Sequence, residues 1–407
     1  MFFDNYSSSA DINKIELGLG RISLLLARLN NPHFNLPPVI HIAGTNGKGS
    51  VLAFLKAIFN QANYKVHRYT SPHLVKFNER IEIANQVISD IELKQLANQC
   101  DLACQISPKI TPTFFEFTTA MAFLAFSKHK ADVVLLETGL GGEFDATNVL
   151  PQVLLSIITT ISFDHQEFLG NTLAEIAKAK AGIIKNNCPV IIANQKQQAK
   201  EVLWQVATAK QAKIIDASSY DLPSKLHKKN LNLIGLHQLE NLKLAYLAIL
   251  NQNKFTITLS EISAGVQNAK WPARLQKIDF GNIKNKLKNC QLYLDGAHNL
   301  DGAKIVSDFL SMQNGKKIVV FNMLKNKDLL GFLTQIQNSL DVLLIIDVAF
   351  HKEQYLATEI LIKAKQLNIA AEIIDNFSEI NNFLADTHNT ILICGSLYLA
   401  GHFLTLN

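Results

Sequence analysis

Cysteine is scarce. There are five, Cys100, Cys104, Cys188, Cys290 and Cys394, an odd number with no Cys-x-x-Cys pair. This argues against a disulfide framework or a zinc knuckle and makes a reducing cytosol the expected compartment. Long apolar runs are missing too. The longest, Val153 to Ile161, has the length of a strand, is broken by Ser156 and Thr159–Thr160, and is too short to span a bilayer. The first residues, Met-Phe-Phe-Asp-Asn-Tyr, have no basic segment and no apolar core, so no signal peptide is expected. Charge of one sign is weak: 39 basic and 34 acidic residues leave a net +5. That balance suits small anionic substrates. The densest basic group, Lys225, Lys228 and Lys229, lacks interleaved aromatics and reads as a solvated loop, so no nucleic-acid partner is expected. With no internal repeat and no low-complexity stretch, neither a solenoid nor a disordered linker is indicated. The expectation is a cytoplasmic monomer with no membrane partner.

What is present is material for packed cores: 407 residues, 48% of them hydrophobic, enough for two or three domains. Strands are expected at Val39–Ala43, Asp132–Glu137, Leu154–Thr160 and Pro189–Ala193. Their near-continuous apolar character suits a parallel sheet covered on both faces. Helices are expected at Ser50–Asn60 and Gln238–Leu250. A second series has strands Gln291–Leu294, Lys317–Phe321, Val342–Ile346, Ala371–Ile374 and Thr390–Cys394. Helical stretches such as Asp301–Met312 and Glu353–Gln366 separate them. This βαβ alternation predicts a small doubly wound domain. The boundary falls near Lys270–Trp271–Pro272, giving domains of 1–270 and 271–407.

The segment Gly44-Thr45-Asn46-Gly47-Lys48-Gly49-Ser50 follows a strand and opens a helix. Glycines let the backbone curl so that several N–H groups face one point, and the helix N-terminus and Lys48 add positive potential. The Ser50 hydroxyl can reach a magnesium ion bridging phosphates. The spacing departs from the ordinary Walker loop, which needs glycine where Ile42 stands and no residue like Gly49 between lysine and serine.

This loop resembles that of the folylpolyglutamate synthase/dihydrofolate synthase family, related to the Mur ligases. Further motifs follow in the family's order: Thr70-Ser71-Pro72-His73-Leu74, Asn78-Glu79-Arg80-Ile81, Thr113-Phe114-Phe115-Glu116 and Glu137-Thr138-Gly139-Leu140-Gly141-Gly142. Then come Asp145-Ala146-Thr147-Asn148, Asp164-His165 with Leu169-Gly170, and Lys180-Ala181-Gly182-Ile183. The later part adds Pro272-Ala273-Arg274, Asp295-Gly296-Ala297-His298-Asn299 and Gly395-Ser396. The resemblance runs from about Ile15 to Ser396.

It implies an α/β fold: a Mur-ligase-like P-loop ATPase domain that holds nucleotide and pterin, then a smaller Rossmann-like C-terminal domain that closes over ATP and helps hold glutamate. The implied reaction uses ATP and two Mg²⁺ ions, makes an acyl phosphate of a dihydropteroate or folate carboxylate, and couples it to L-glutamate. The chemistry accounts for the residue types. A carboxylate becomes an acyl donor only when an oxygen leaves as phosphate, and transfer between anions needs cations along the reaction line.

The same resemblance assigns roles. Lys48, His165 and Lys180 are catalytic, with Lys180 N-carboxylated to an anionic carbamate. Gly44 through Ser50, Asn241, Arg274 and Asp295 bind ATP. Ser50, Ser71, Glu137 and His165 hold metal. Leu17, Gly18, Leu19 and Gly20 of the first helix, Thr113, Phe114, Phe115, Glu116, Phe144, Asp145 and Ala146 bind the pterin substrate, and His298 lies near glutamate. Taken alone, Ser71 is a turn serine, the phenylalanines are core residues and Lys180 is a helix-surface lysine. Two positions depart from the family pattern: Glu143, where arginine is usual, and Ala179, where glutamate is usual.

Two other functions compete. A Mur-type ligase for a cell-wall precursor generally carries an N-terminal UDP-binding domain, whereas the phosphate loop is reached here by residue 44. A non-catalytic ATP-binding regulator would be expected to have lost Lys48, Glu137, His165 or Lys180.

Overall fold

The computed structural model describes residues 16–226, 231–287, 289–347, 353–385 and 388–407. The N-terminal hexapeptide and the Lys228–Lys229 pair lie outside the described residues. The chain forms two compact units. One comprises residues through Asn232 together with Leu239–Lys270, the other Leu233–Gln238 with Trp271–Asn407. Leu233–Gln238, which the sequence put in the first domain, groups with the second because Ile234 packs on the second unit's core.

The first unit is built on an eight-stranded sheet: β1 (Val39–Ala43), β2 (Val66–Tyr69), β3 (Ile81–Ile83), β4 (Gln86–Val87), β5 (Val133–Glu137), β6 (Leu155–Ile158), β7 (Val190–Ile192) and β8 (Ile214–Asp216). Its order is β4-β3-β2-β5-β1-β6-β7-β8. The strands pair in parallel except at β2–β3 and β3–β4. All five residues of β1 and of β5 are buried, which is why they read as near-continuous apolar runs, interrupted only by His41 and ended by Glu137. After β1 the chain moves to one side, to β2, and β6 later lands on the other side. The C-terminal end of β1 is therefore the crevice where open α/β sheets bind ligands.

Helices cover the sheet. Gly20–Arg28, Asp90–Gln105 and Phe114–Lys128 contribute to one core cluster, and Leu173–Ala181 with Gln197–Ala209 to another. Their starts are encoded locally. Thr113 with Glu116 and Thr172 with Glu175 form capping boxes that satisfy the first free N–H groups. The first helix begins at Gly20, so Leu17, Gly18 and Leu19 lie in the segment leading to it, not on it.

The second unit has a six-stranded sheet of β9 (Gln276–Ile278), β10 (Cys290–Leu294), β11 (Lys316–Phe321), β12 (Val342–Ile345), β13 (Ala371–Ile373) and β14 (Asn389–Cys394). The order is β13-β12-β11-β14-β10-β9, parallel but for β9. Helices Leu300–Ser311, Leu329–Ile336 and Ala357–Gln366 pack on it. The last of these starts four residues later than the sequence suggests, after Leu356. No helix among the described residues is long and apolar enough to cross a membrane.

Helix Leu259–Asn268 lies against the phosphate-loop helix Lys48–Gln61 through Gly265. A Cβ there would stand 2.7 Å from Ile58 Cα and 2.8 Å from the Ala57 carbonyl oxygen. Backbone cannot yield as a flexible side chain can, so Gly265→Ala should destabilise the first unit by about 1–3 kcal/mol. Urea denaturation checks this, and an unchanged midpoint would mean the two helices separate without cost.

Candidate active site

The phosphate loop runs from Gly44 into the helix beginning at Lys48. Gly44 has φ +149°, and a Cβ on it would collide with the Thr159 side chain. Gly47 has φ +94°, and a Cβ there would strike the Asn241 amide, so Asn241 lies directly on the loop. The loop is pinned to the chain beyond β6. Thr45 and Asn46 N–H donate to the Thr160 carbonyl at 2.9 and 3.2 Å. Thr45 Oγ1 donates to Ser162 O at 3.2 Å and accepts from Ser162 N at 3.1 Å. The first N–H groups of the helix have no intrahelical acceptor, and Ser50 is buried in that first turn.

Two lysines converge here. Lys48 Nζ donates to Gly44 O at 3.0 Å and to Thr45 O at 3.3 Å. Lys180 reaches the same Gly44 carbonyl, also at 3.0 Å, from the helix Leu173–Ala181. Only 5% of Lys180 is exposed, so it is no helix-surface residue. Burial first, then the neighbouring Lys48 charge, push its amine down to about 7, with Asp164 and Asp145 opposing.

Glu137 ends β5 beside Ile42 of β1. Its Oε2 accepts from the Thr70 hydroxyl and from Ser71 N at 3.3 Å. Among the described residues Oε1 has no hydrogen bond. His165 has φ +51°, caps a short helix and is 39% exposed, with Nε2 3.8 Å from Asp164 Oδ2. No three His, Cys, Asp or Glu side chains among the described residues form a metal cage. One free carboxylate oxygen and the serine hydroxyls are oxygen donors that fit magnesium, which keeps water and phosphate as most of its ligands, and the imidazole is the softer donor of the set.

Phe114 and Phe115 open the helix Phe114–Lys128. The Phe115 ring sits on Gly139, 2.5 Å from where a Cβ would stand. Phe114 meets Phe77 edge-on, with the Arg80 guanidinium 5.1 Å above its ring. Both phenylalanines are half-buried and pack on the core. Glu116 Oε2 is taken by Arg21 Nε at 2.9 Å and Thr113 N at 2.7 Å, whereas Oε1 is buried with no partner. Phe144 is half exposed and Ala146 buried. Asp145 Oδ2 accepts from Gly139 N (2.9 Å) and Leu140 N (2.8 Å), and Oδ1 from Thr147 N (3.0 Å) and its hydroxyl.

In the second unit, Asp295 follows β10 and accepts from Leu275 N at 2.6 Å and Ala297 N at 2.7 Å. Burial pushes its carboxyl up, while Arg274 holds it down. Arg274 Nη1 donates to Ala273 O at 2.8 Å, and His298 Nδ1 is 2.8 Å from Gly296 O. Arg274, Asp295 and His298 are thus drawn together around Gly296.

The sequence missed Arg21 and Asp164 as site residues. Arg21 stands in the first turn of a mostly apolar helix that ends in Arg28, a signal in plain sight, and it faces Glu116. Asp164 stood in the Asp164-His165 motif without a role, and the structure sets its charge against Lys180.

The Lys180 amine gives a pH signature. Its folded value lies below the unfolded one of 10.5, so the unfolded chain binds more protons between about 7 and 10.5 and stability rises with pH there. In bicarbonate-free buffer, Lys180→Met should therefore raise the melting temperature more at pH 6 than at pH 9. A gain that is the same at both would mean the amine is not desolvated.

Comparison with known proteins fits this geometry. Residues 42–249 match the Mur ligase middle domain and residues 276–406 the C-terminal domain of dihydrofolate synthetase. The chain is 34% identical to the dihydrofolate synthase/folylpolyglutamate synthase of Bacillus subtilis, over 94% of this chain and 93% of that protein. It superposes on Escherichia coli FolC in complex with DHPP and ADP with a TM-score of 0.85 at 27% identity, covering 99% of this chain and 95% of that one. The bifunctional enzyme of Yersinia pestis complexed with AMPPNP and Mn ion gives 0.82 at 27% identity, over 99% and 96%. These likenesses support neither the cell-wall ligase nor the non-catalytic regulator. The chain belongs to the dihydrofolate synthase/folylpolyglutamate synthase family of ATP-dependent glutamate ligases, built on the Mur ligase fold.

Proposed function

We propose that this chain is a bifunctional enzyme of the cytosol, acting as a monomer without nucleic acid, that adds L-glutamate both to dihydropteroate and to reduced folates. The observation that carries the reading is the meeting of Lys48 and Lys180 at the Gly44 carbonyl, beside the strand that ends in Glu137. The acceptor carboxylate attacks the γ-phosphorus and ADP leaves. The glutamate amine then attacks the acyl carbon, and phosphate leaves.

Lys48 swings from its loop carbonyls to the transferring phosphoryl group, where its charge counts most. Gly44 through Ser50 cradle the phosphates, and Asn241 lies against them. Ser50, Ser71, Glu137 and His165 are the residues that would hold two magnesium ions, and bound magnesium neutralises charge along the line of transfer. A cationic Lys180 would oppose those ions. Its amine, held near neutrality by burial, can take up CO₂, lose a proton and become a carbamate of the opposite sign.

The acceptor's flat body suits Phe114 and Phe115, and the unpartnered Glu116 Oε1 suits one of its N–H groups. Leu17 to Gly20, Thr113 and the Phe144–Ala146 turn complete that pocket. Arg274 and Asp295 are proposed for the nucleotide, and His298 for glutamate. One pocket serves both acceptors because they share the pterin and aminobenzoate body. The Bacillus subtilis relative bears both activity names.

Purified protein with ATP, Mg²⁺ and glutamate should release ADP with dihydropteroate and, in a separate tube, with a reduced monoglutamyl folate. Release with one acceptor only would restrict the enzyme to one activity, and release with neither would end the reading. The carbamate has its own check. Exhaustive removal of bicarbonate should cut turnover several-fold, and adding it back should restore the rate. A rate indifferent to CO₂ would return Lys180 to an ordinary amine.

A further inference from the structure

His41 is a histidine at the centre of the β1 strand, fully buried, with no place in the chemistry above. Its Nε2 lies 2.9 Å from Thr147 Oγ1, and its Nδ1 is buried with no partner. Thr147 is itself fully buried, and its hydroxyl donates to Asp145 Oδ1. A hydroxyl has one proton. Since that proton goes to the carboxylate, the oxygen must accept from His41, which fixes the imidazole as the neutral Nε2–H tautomer. Burial, with the Lys185 charge nearby, pushes the ring down to about 3, so this state holds throughout the physiological range.

The chain of bonds continues outward. Asp145 spends its other oxygen on the N–H groups of Gly139 and Leu140. Those two residues follow Glu137 by way of Thr138, and Gly139 carries the Phe115 ring. All four bonds to Asp145 come from the protein, so its carboxylate has no lone pair facing a ligand in good geometry. Neighbouring contacts brace the same turn: Asn148 Nδ2 donates to Glu143 O at 3.0 Å, and Lys185 Nζ to Asn148 Oδ1 at 2.7 Å.

We infer that His41, acting through Thr147 and Asp145, is a positioning residue that holds the Gly139–Leu140 backbone, and with it the Phe115 wall, in the shape the acceptor pocket requires. Asp145 then serves the acceptor by shaping the pocket and not by touching it. The inference rests on the reading of Phe115 and Gly139 as the acceptor's wall. The phosphate loop is held by other bonds, through Thr160 and Ser162, so nucleotide binding should be spared.

The test is steady-state kinetics on the full chain, varying the reduced folate at saturating ATP and then the reverse. His41→Leu keeps the volume and removes the donor, and Thr147→Val removes the relay without changing its shape. Each should raise the acceptor KM about tenfold, the worth of one or two buried hydrogen bonds, and leave the ATP KM within about twofold. His41→Gln, which can place an amide N–H near the Nε2 position, and Thr147→Ser should restore most of the acceptor KM. Calorimetric binding of ADP shows that each variant is folded, and if His41→Leu fails this, the Thr147 pair decides. An unchanged acceptor KM in folded variants, equal rises in both KM values, or no rescue by glutamine or serine overturns the inference. Phe115→Ala separates the two levels. If it leaves the acceptor KM unchanged, the pocket reading falls and the inference with it; if it raises KM while Thr147→Val does not, only the positioning role falls.

Discussion

The Gly44 carbonyl oxygen is the point on which the first unit's site depends. Two ammonium groups, from Lys48 and Lys180, donate to it at 3.0 Å each. Two cations beside one neutral acceptor, with one of them buried, is a costly arrangement, since desolvation and mutual repulsion both act against it. The fold meets that cost by lowering the affinity of Lys180 for its proton, not by supplying a contacting carboxylate.

Holding Lys180 at that spot constrains much of the surrounding chain. Its helix is fixed at the start by the Thr172–Glu175 capping box and near its end by Glu143 N–H donating to Ala179 O at 2.7 Å. The approach works only because Gly142 has no side chain: a Cβ there would stand 2.8 Å from the carbonyl oxygens of both Ala179 and Lys180. Gly142 in turn closes the turn that Asp145 organises and that leads back to Glu137. The Glu137 carboxylate, the Lys180 helix and the Phe115 ring are therefore all placed against one short stretch, Glu137 to Thr147. The gain is preorganisation, because groups fixed before the ligand binds need no reorganisation during transfer.

Much of this was legible in the sequence, for physical reasons. β1, β5, β6, β7 and, in the second unit, β14 and most of β11 and β12 are buried on both faces, and such strands announce themselves as apolar runs. The phosphate loop was legible because its glycines answer to backbone conformation and close approach, which leave a fixed spacing. β2, β3, β4, β8 and β9 were not read. They are two to four residues long and mixed in polarity, as in Val66-His67-Arg68-Tyr69, where Glu82 neutralises a buried Arg68 that no apolar pattern could reveal. Side-chain direction was also out of reach. Asp145 looked like a ligand-facing carboxylate and turned out to be filled by four protein donors. Arg21 and Glu116 meet across 95 positions, a pairing set by packing and not by local spacing.

The two departures from the family pattern, Glu143 and Ala179, become a single local feature in three dimensions. They are in direct contact through the Glu143 N–H and the Ala179 carbonyl. The backbone of Glu143 also fills the space over Gly182, where a Cβ would clash with its N, Cα and Cβ atoms, so its main chain is fixed while its side chain is exposed. The contact with Ala179 is between main chains: the Ala179 Cβ lies toward Gly141, and the Glu143 side chain is exposed. Alanine at 179 leaves the residue next to Lys180 without a carboxylate. A nearby anion would stabilise the ammonium form, whereas its absence favours the neutral amine. Alanine at 179 therefore works in the same direction as burial, which already pushes the Lys180 amine down.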